Sequence, residues 1–212
     1  MKYYLIAGEA SGDLHGSNLI NALKNEDAKA DFRVWGGDLM QNSGANLVKH
    51  YRDLAFMGFL EVVKNLRTIL GNIDFCKKDI LAFQPDVLIL IDYPGFNLRI
   101  AKWAKKQNIR VFYYISPQIW AWHTSRVHQI KQNIERMFVI LPFEKDFYKK
   151  YQYEVDFVGH PLLDAVKNFK SNPGFFKKNN IDTDKKIIAL LPGSRKQEIS
   201  KLLPEIDRKS VV

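Results

Sequence analysis

Residues Asp86-Val-Leu-Ile-Leu-Ile-Asp92 form an unbroken apolar run between two carboxylates. The run is too short for a helix of ordinary length, and its Val and Ile residues favour extended backbone. A strand with no polar side must be covered on both faces. The usual solution is a parallel sheet lying between layers of helices. A carboxylate at the carboxyl end of such a central strand contributes little to stability. Asp92 is therefore a candidate functional group, since Asn97 is placed to cap the helix that follows.

The same pattern opens the chain. Tyr3 to Ala7 reads as a buried strand that stops at Gly8, and Asn18, Leu19, Ile20 and Leu23 then carry helical periodicity. Gly8 to Asp13 is a strand-to-helix turn, with Ser11 or Asp13 as the expected N-cap. In a parallel sheet such turns lie where ligands bind. Gly8 and Gly12 allow a ligand close to the backbone, and the free N–H groups of the first helical turn favour an anion. The spacing of Gly8, Gly12 and Gly16 fits neither the dinucleotide fingerprint nor a Walker A loop. Glu9 and Asp13 would repel a phosphate unless they bind sugar hydroxyls or cap backbone.

Further strands are expected over Phe32 to Trp35, Asn46 to Lys49, Arg110 to Ile115, Met137 to Leu141 and Val155 to Val158. Between them, a long helix from about Gly58 to Phe83 places Phe59, Val62, Val63, Leu66, Ile69 and Leu70 on one face. That stripe either packs into the core or meets acyl chains or a membrane surface. Ser116-Pro-Gln-Ile-Trp-Ala-Trp122 follows a strand, and the faces of Trp120 and Trp122 suit sugar rings. Arg126 opens the next helix within reach of an anion. A region rich in Lys, Asn, Asp and Gly then precedes another expected strand, Lys186 to Leu191, and the loop Pro192-Gly-Ser-Arg-Lys-Gln-Glu198.

With Cys76 the single cysteine, no intrachain disulfide can form. The first strand begins directly after Lys2, and no run approaches the ~18 apolar residues that span a bilayer. A cytoplasmic protein is expected. Its net charge of +9 favours anionic partners, and no helix-turn-helix or zinc-finger pattern points to nucleic acid.

Taken in order, these stretches resemble the lipid-A-disaccharide synthase family of GT-B glycosyltransferases. The resemblance is carried by Gly8-Glu-Ala-Ser-Gly-Asp13, Gly36-Gly37 with Met40, Met57-Gly58 with Glu61-Val62, and Ile91-Asp92-x-Pro94-x-Phe96-Asn97. It continues through Ser116-Pro117-x-x-Trp120-Ala-Trp122, Leu141-Pro-Phe-Glu144, Gly159-His160-Pro161 and Leu191-Pro-Gly-Ser-Arg195 with Glu198. Each motif is weak alone, but the colinear set from about residue 3 to 203 is specific.

The resemblance implies an α/β fold with a Rossmann-like, acceptor-binding domain over residues 1–168 and a linker over 169–185. Residues 186–212 would be the truncated start of a UDP-sugar-binding domain, so the 212-residue chain by itself is expected to be inactive. The implied reaction joins UDP-2,3-diacylglucosamine to 2,3-diacylglucosamine 1-phosphate at the inner-membrane surface, with no metal or other cofactor. Asp92, Glu9 and Arg195 are the implied catalytic residues, Asp92 taking the proton of the acceptor 6-hydroxyl and Arg195 meeting diphosphate charge. Gly8, Ser11, Gly12, Asp13, Asn97, Ser116, Trp120, Trp122, Arg126, His160, Gly193, Ser194 and Glu198 are the implied substrate contacts. Val63, Leu66, Ile69 and Leu70 become the acyl or membrane contacts. The resemblance leaves room for a homo-oligomer. Two positions depart from the family: Gly95 stands where many members carry a second acid, and His123 where Arg or Lys is common. The competing readings are another GT-B transferase, a UDP-sugar epimerase, or a lipid-binding fragment without turnover.

Overall fold

The computed structural model describes residues 1–54, 66–193 and 196–209. The chain divides into two compact units, Met1–Lys167 and Asn168–Val212.

The first unit is built on one sheet of β1 (Lys2–Ala7), β2 (Asp31–Gly36), β3 (Asn46–His50), β4 (Val87–Ile91), β5 (Val111–Tyr114), β6 (Arg136–Val139) and β7 (Asp156–Phe157). Their order is β3-β2-β1-β4-β5-β6-β7 and every neighbouring pair is parallel. Each strand run expected between Tyr3 and Val158 lies in this sheet, within a residue or two of its expected ends.

Alternation along the strands divides the core into two layers. Tyr4 and Ile6 of β1 and Leu88 and Leu90 of β4 pack with Trp35, Cys76 and Ile80 on one face. Tyr3, Leu5 and Ala7, with Val87, Ile89 and Ile91, pack with Ile20, Val34 and Met40 on the other. β4 is buried at all five positions, as its lack of polar residues requires.

Among the described residues the helices of this unit are α1 (Ala10–Glu26), α2 (Asp38–Asn42), α3 (Leu66–Phe83), α4 (Pro94–Lys106), α5 (Ile119–Trp122), α6 (Arg126–Asn133), α7 (Phe143–Lys149) and α8 (Leu162–Asn168). Of the expected long apolar helix, the part before Leu66, including Val63, lies outside the described residues. Leu66 and Ile69 lie on α3, and Leu70 is half exposed. From Ile73 onward the stripe turns inward, with Ile73, Cys76 and Ile80 buried. The core claims that part of the helix.

α3 also carries a polar anchor. Asp79 accepts hydrogen bonds from Arg33 Nη2 at 2.5 Å, Arg33 Nε at 2.8 Å and the Tyr4 hydroxyl at 2.6 Å. Burial raises the Asp79 pKa, but Arg33 and Tyr4 together outweigh it and hold the carboxyl below its ordinary value. Its stabilisation is present above the unfolded-state pKa of about 3.9 and is lost as pH falls through the lower folded-state value. Asp79→Ala is expected to cost about 2–3 kcal/mol near neutral pH, as loss of hydrogen bonds to a charged group does. Paired melts should show the gap from wild type narrowing below about pH 3.9. A gap that persists undiminished at lower pH would contradict this account.

In the second unit, α9 (Phe175–Lys178) and α10 (Lys196–Lys209) are helical. The strand expected over Lys186 to Leu191 does not form. Residues 186–193 pair with no strand among the described residues, and a strand exists only as part of a ladder. The short α9 also interrupts the stretch expected to be an irregular linker.

Candidate active site at the carboxyl edge of the sheet

The strand order reverses between β1 and β4, so their diverging connections open a crevice beyond the carboxyl ends of the strands. Glu9 follows β1 and Asp92 follows β4, which brings two carboxylates to this switch point. Asp92 is half buried. Burial, and secondly the Glu9 charge, push its pKa above the usual carboxylate value.

The backbone here is unusual. Asp92 (φ 45°) and Tyr93 (φ 49°) are successive left-handed residues, and Ile115, at the end of neighbouring β5, has φ 66°. None is glycine, and each such residue costs on the order of 1–3 kcal/mol. β-branched Ile115 is the most demanding. Backbone strain thus gathers at two adjacent strand ends on this edge. The Asp92 carbonyl is held at 2.5 Å by the Tyr113 hydroxyl and at 2.7 Å by Asn97 Nδ2.

Several expected ligand contacts also make contacts within the fold. Asp13 is buried and accepts hydrogen bonds from the backbone N–H groups of Gly37 (2.8 Å), Leu39 (3.1 Å) and Met40 (3.0 Å). It thus caps α2, not its own helix. The N-cap of α1 is Glu9, with no side-chain capping bond, and Ser11 lies exposed in the first helical turn. Both expected caps are therefore displaced. Gly8 is covered by the Tyr93 ring, which a Cβ would overlap, so its backbone faces a side chain. A Cβ at Gly12 would lie 3.0 Å from that of Ala7, so this glycine serves close packing of α1 on β1. Asn97 is fully buried, and the Ser116 hydroxyl, also buried, meets the Tyr148 hydroxyl at 2.7 Å.

The loops after β5, β6 and β7 place the remaining candidates. Trp122 is 76% exposed and offers an open aromatic face. Trp120 instead packs edge-on against Phe143, with ring centroids 5.0 Å apart. Its buried Nε1–H makes no hydrogen bond, although Glu144 lies close enough to feel it. Arg126 is partly buried and close enough to Tyr113 to act on it electrostatically. His160 lines an apolar groove of about 790 Å³, whose walls include Leu19, Phe112, Tyr114 and Phe138.

Three residues at this edge, Tyr93, Tyr113 and His15, were not singled out from the sequence, and Glu144 entered only as the end of the Leu141-Pro-Phe-Glu144 stretch. Tyr93 and Tyr113 order the turn at Asp92. Glu144 is buried and accepts the N–H groups of Ile140 and Leu141 at 3.2 and 2.9 Å, while burial raises its pKa. His15 is partly buried with Nδ1 unpartnered, and burial, then His160, lower its pKa. Glu144 is held by its own preceding turn, whereas Tyr113 and His15 owe their settings to neighbours distant in sequence.

Gly193 (φ 114°) and Glu198 are close neighbours in the second unit, where a Cβ on the glycine would overlap the glutamate side chain. Ser194 and Arg195 lie outside the described residues.

Residues 3–211 match the family model described as lipid-A-disaccharide synthetase. The lipid-A-disaccharide synthase of Trichlorobacter lovleyi is 45% identical over 202 residues, covering 95% of this chain and 53% of that protein. Among solved structures, a UDP-GlcNAc 2-epimerase of Methanocaldococcus jannaschii, in complex with UDP-GlcNAc and UDP, has a TM-score of 0.61 at 16% identity. The match covers 85% of this chain and 53% of that one. The glycotransferase of kitacinnamycin has a TM-score of 0.52 at 15% identity, covering 75% and 51%. At such identities the two structures show the fold alone, the Rossmann-like GT-B architecture. The chain spans about half the length of the curated relatives it matches.

Proposed function

This chain belongs to the lipid-A-disaccharide synthetase family, and from that premise we propose that it supplies the acceptor side of a lipid A glycosyltransferase. The enzyme transfers 2,3-diacylglucosamine from its UDP form to 2,3-diacylglucosamine 1-phosphate, giving lipid A disaccharide 1-phosphate and UDP. The observation that carries the assignment of chemistry is Asp92. It is a half-buried carboxyl on strained backbone at the switch point, with its pKa raised toward the range useful for proton transfer.

Asp92 accepts the proton of the acceptor 6-hydroxyl as that oxygen attacks the anomeric carbon. The bond from that carbon to UDP breaks on the opposite face, so the configuration inverts. Arg195 meets the charge that develops on the diphosphate, without recourse to a metal ion. Glu9 tunes Asp92 by its charge. Arg126, Trp122 and His160 bind the acceptor, while Gly193, Ser194 and Glu198 contribute to the donor side.

The substrates are lipids, and the chain is suited to an anionic membrane surface. Its net charge is +9, and α3 exposes about half of Leu70, Phe75 and Leu81. No helix among the described residues is long and apolar enough to cross a membrane. We place the protein on the inner-membrane surface, facing the cytoplasm.

Two measurements test this reading. The chain should bind 2,3-diacylglucosamine 1-phosphate in calorimetric titration more tightly than it binds UDP. A chimera, in which this chain replaces the 202 matched residues of the Trichlorobacter lovleyi relative, should form disaccharide 1-phosphate. A folded chimera without product, together with a chain that prefers UDP, would overturn the assignment.

A further inference from the structure

The structure assigns Tyr113 and Asn97 as positioning residues that fix the Asp92–Tyr93 turn and thereby the direction of the Asp92 carboxylate. This rests on the reading of Asp92 as the base.

Regular strand bonding ends at Asp92, whose N–H still donates to the Tyr114 carbonyl at 3.2 Å. The chain then takes two left-handed residues in succession, whereas aspartate visits that region only singly and tyrosine seldom at all. What over-determines it is the Asp92 carbonyl, gripped from two sides. Tyr113, fully buried on β5, donates its hydroxyl at 2.5 Å. Asn97, fully buried in the first turn of α4, donates Nδ2 at 2.7 Å and also reaches the carbonyls of Ile91 (3.3 Å) and Ile6 (3.4 Å). One amide thereby ties together the ends of β1 and β4, the two strands that flank the crevice. Both hydrogen bonds go to the carbonyl, so neither occupies the carboxylate, which accepts the backbone N–H of Tyr93 from the same turn. Both donors stand on core side chains with no room to turn, so the carbonyl is a fixed pivot and the carboxylate inherits its direction.

Tyr113→Phe keeps the ring and deletes only the hydroxyl. In this chain, a ¹³C titration of the Asp92 carboxyl should move down toward the ordinary aspartate value as the freed turn admits water. In the active chimera, kcat should fall by about ten-fold, less than the ~10²-fold that a 1 Å misplacement brings. KM for the acceptor should stay within about two-fold, because the substrate contacts are untouched. Adding Tyr113→Phe to Asp92→Asn should cost nothing further, since a positioning residue acts only through the group it positions. Tyr153→Phe is the control: it deletes a similar hydroxyl-to-carbonyl bond, 3.1 Å to Ile134, and should leave both titration and kcat unchanged.

Two results would overturn the inference: a wild-type titration and kcat in Tyr113→Phe, or an equal loss in the Asp92→Asn background. Failure of the base reading looks different. There, Asp92→Asn keeps its kcat while Tyr113→Phe still shifts the titration, and the positioning role stands without a catalytic one.

Discussion

Asp92→Asn is expected to lower kcat by about 10²–10⁴ while raising the melting temperature. The acceptor hydroxyl is a weak nucleophile, and a carboxylate in hydrogen-bond reach removes its proton as the new bond forms. Asparagine keeps the size and shape but cannot take the proton. The stability gain follows from the direction of the pKa shift. Burial and the Glu9 charge make the folded protein hold the Asp92 proton more tightly than the unfolded chain does. Stability is therefore lost as pH rises from the unfolded value, about 3.9, through the higher folded value, and the loss persists at neutral pH. Asparagine removes that cost, so its gain should be present at neutral pH and vanish below about pH 3.9. The wild-type rate should climb with pH through a value above the ordinary aspartate range. Glu9→Gln, which removes the neighbouring charge, should shift that limb downward. Initial rates in the chimera and melts of this chain, both against pH, supply the measurements. Near wild-type turnover in folded Asp92→Asn, with loss in Glu9→Gln, would move the base to Glu9.

The second large effect is on stability. Asp13→Ala should destabilise the first unit by roughly 3 kcal/mol, because two buried backbone N–H groups and a partly buried third lose their acceptor at once and each unsatisfied buried group costs about 1–3 kcal/mol. For a unit of this size that is a fall in melting temperature of about 10 °C. Asp13→Asn should lose less. A single amide oxygen still serves Gly37 and Met40 as Oδ1 does now, while its NH₂ group confronts the Leu39 N–H. Urea denaturation of the three proteins, with acceptor titrations on each, distinguishes a structural carboxylate from a ligand group. If Asp13→Ala melts within about 2 °C of wild type and loses acceptor binding, the carboxylate serves the ligand after all.

Local chemistry was enough for much of this protein. Val87 to Ile91 has no polar side, so it could only be a strand covered on both faces, and the alternation of strand and helix around it then required a parallel sheet. The ordered set of motifs, from Gly8-Glu-Ala-Ser-Gly-Asp13 to Leu191-Pro-Gly-Ser-Arg195, was enough for the family. Partner choice was not written locally. Ser11 and Asp13 both suit an N-cap by residue type and spacing. Yet Asp13 caps α2 because β2 lies beside β1 and brings three N–H groups to it, a neighbour relation that no window of sequence contains. Asn97 and Ser116 look like polar loop residues on a ligand edge, and the folded chain turns both inward to buried partners. The strand expected at Lys186 to Leu191 has the right residues but no adjacent ladder, and hydrogen bonds between strands are what make a strand. Sequence decides what a side chain can offer. Tertiary structure decides which group, tens of residues away, takes the offer, because a buried polar atom must find a partner wherever the fold supplies one.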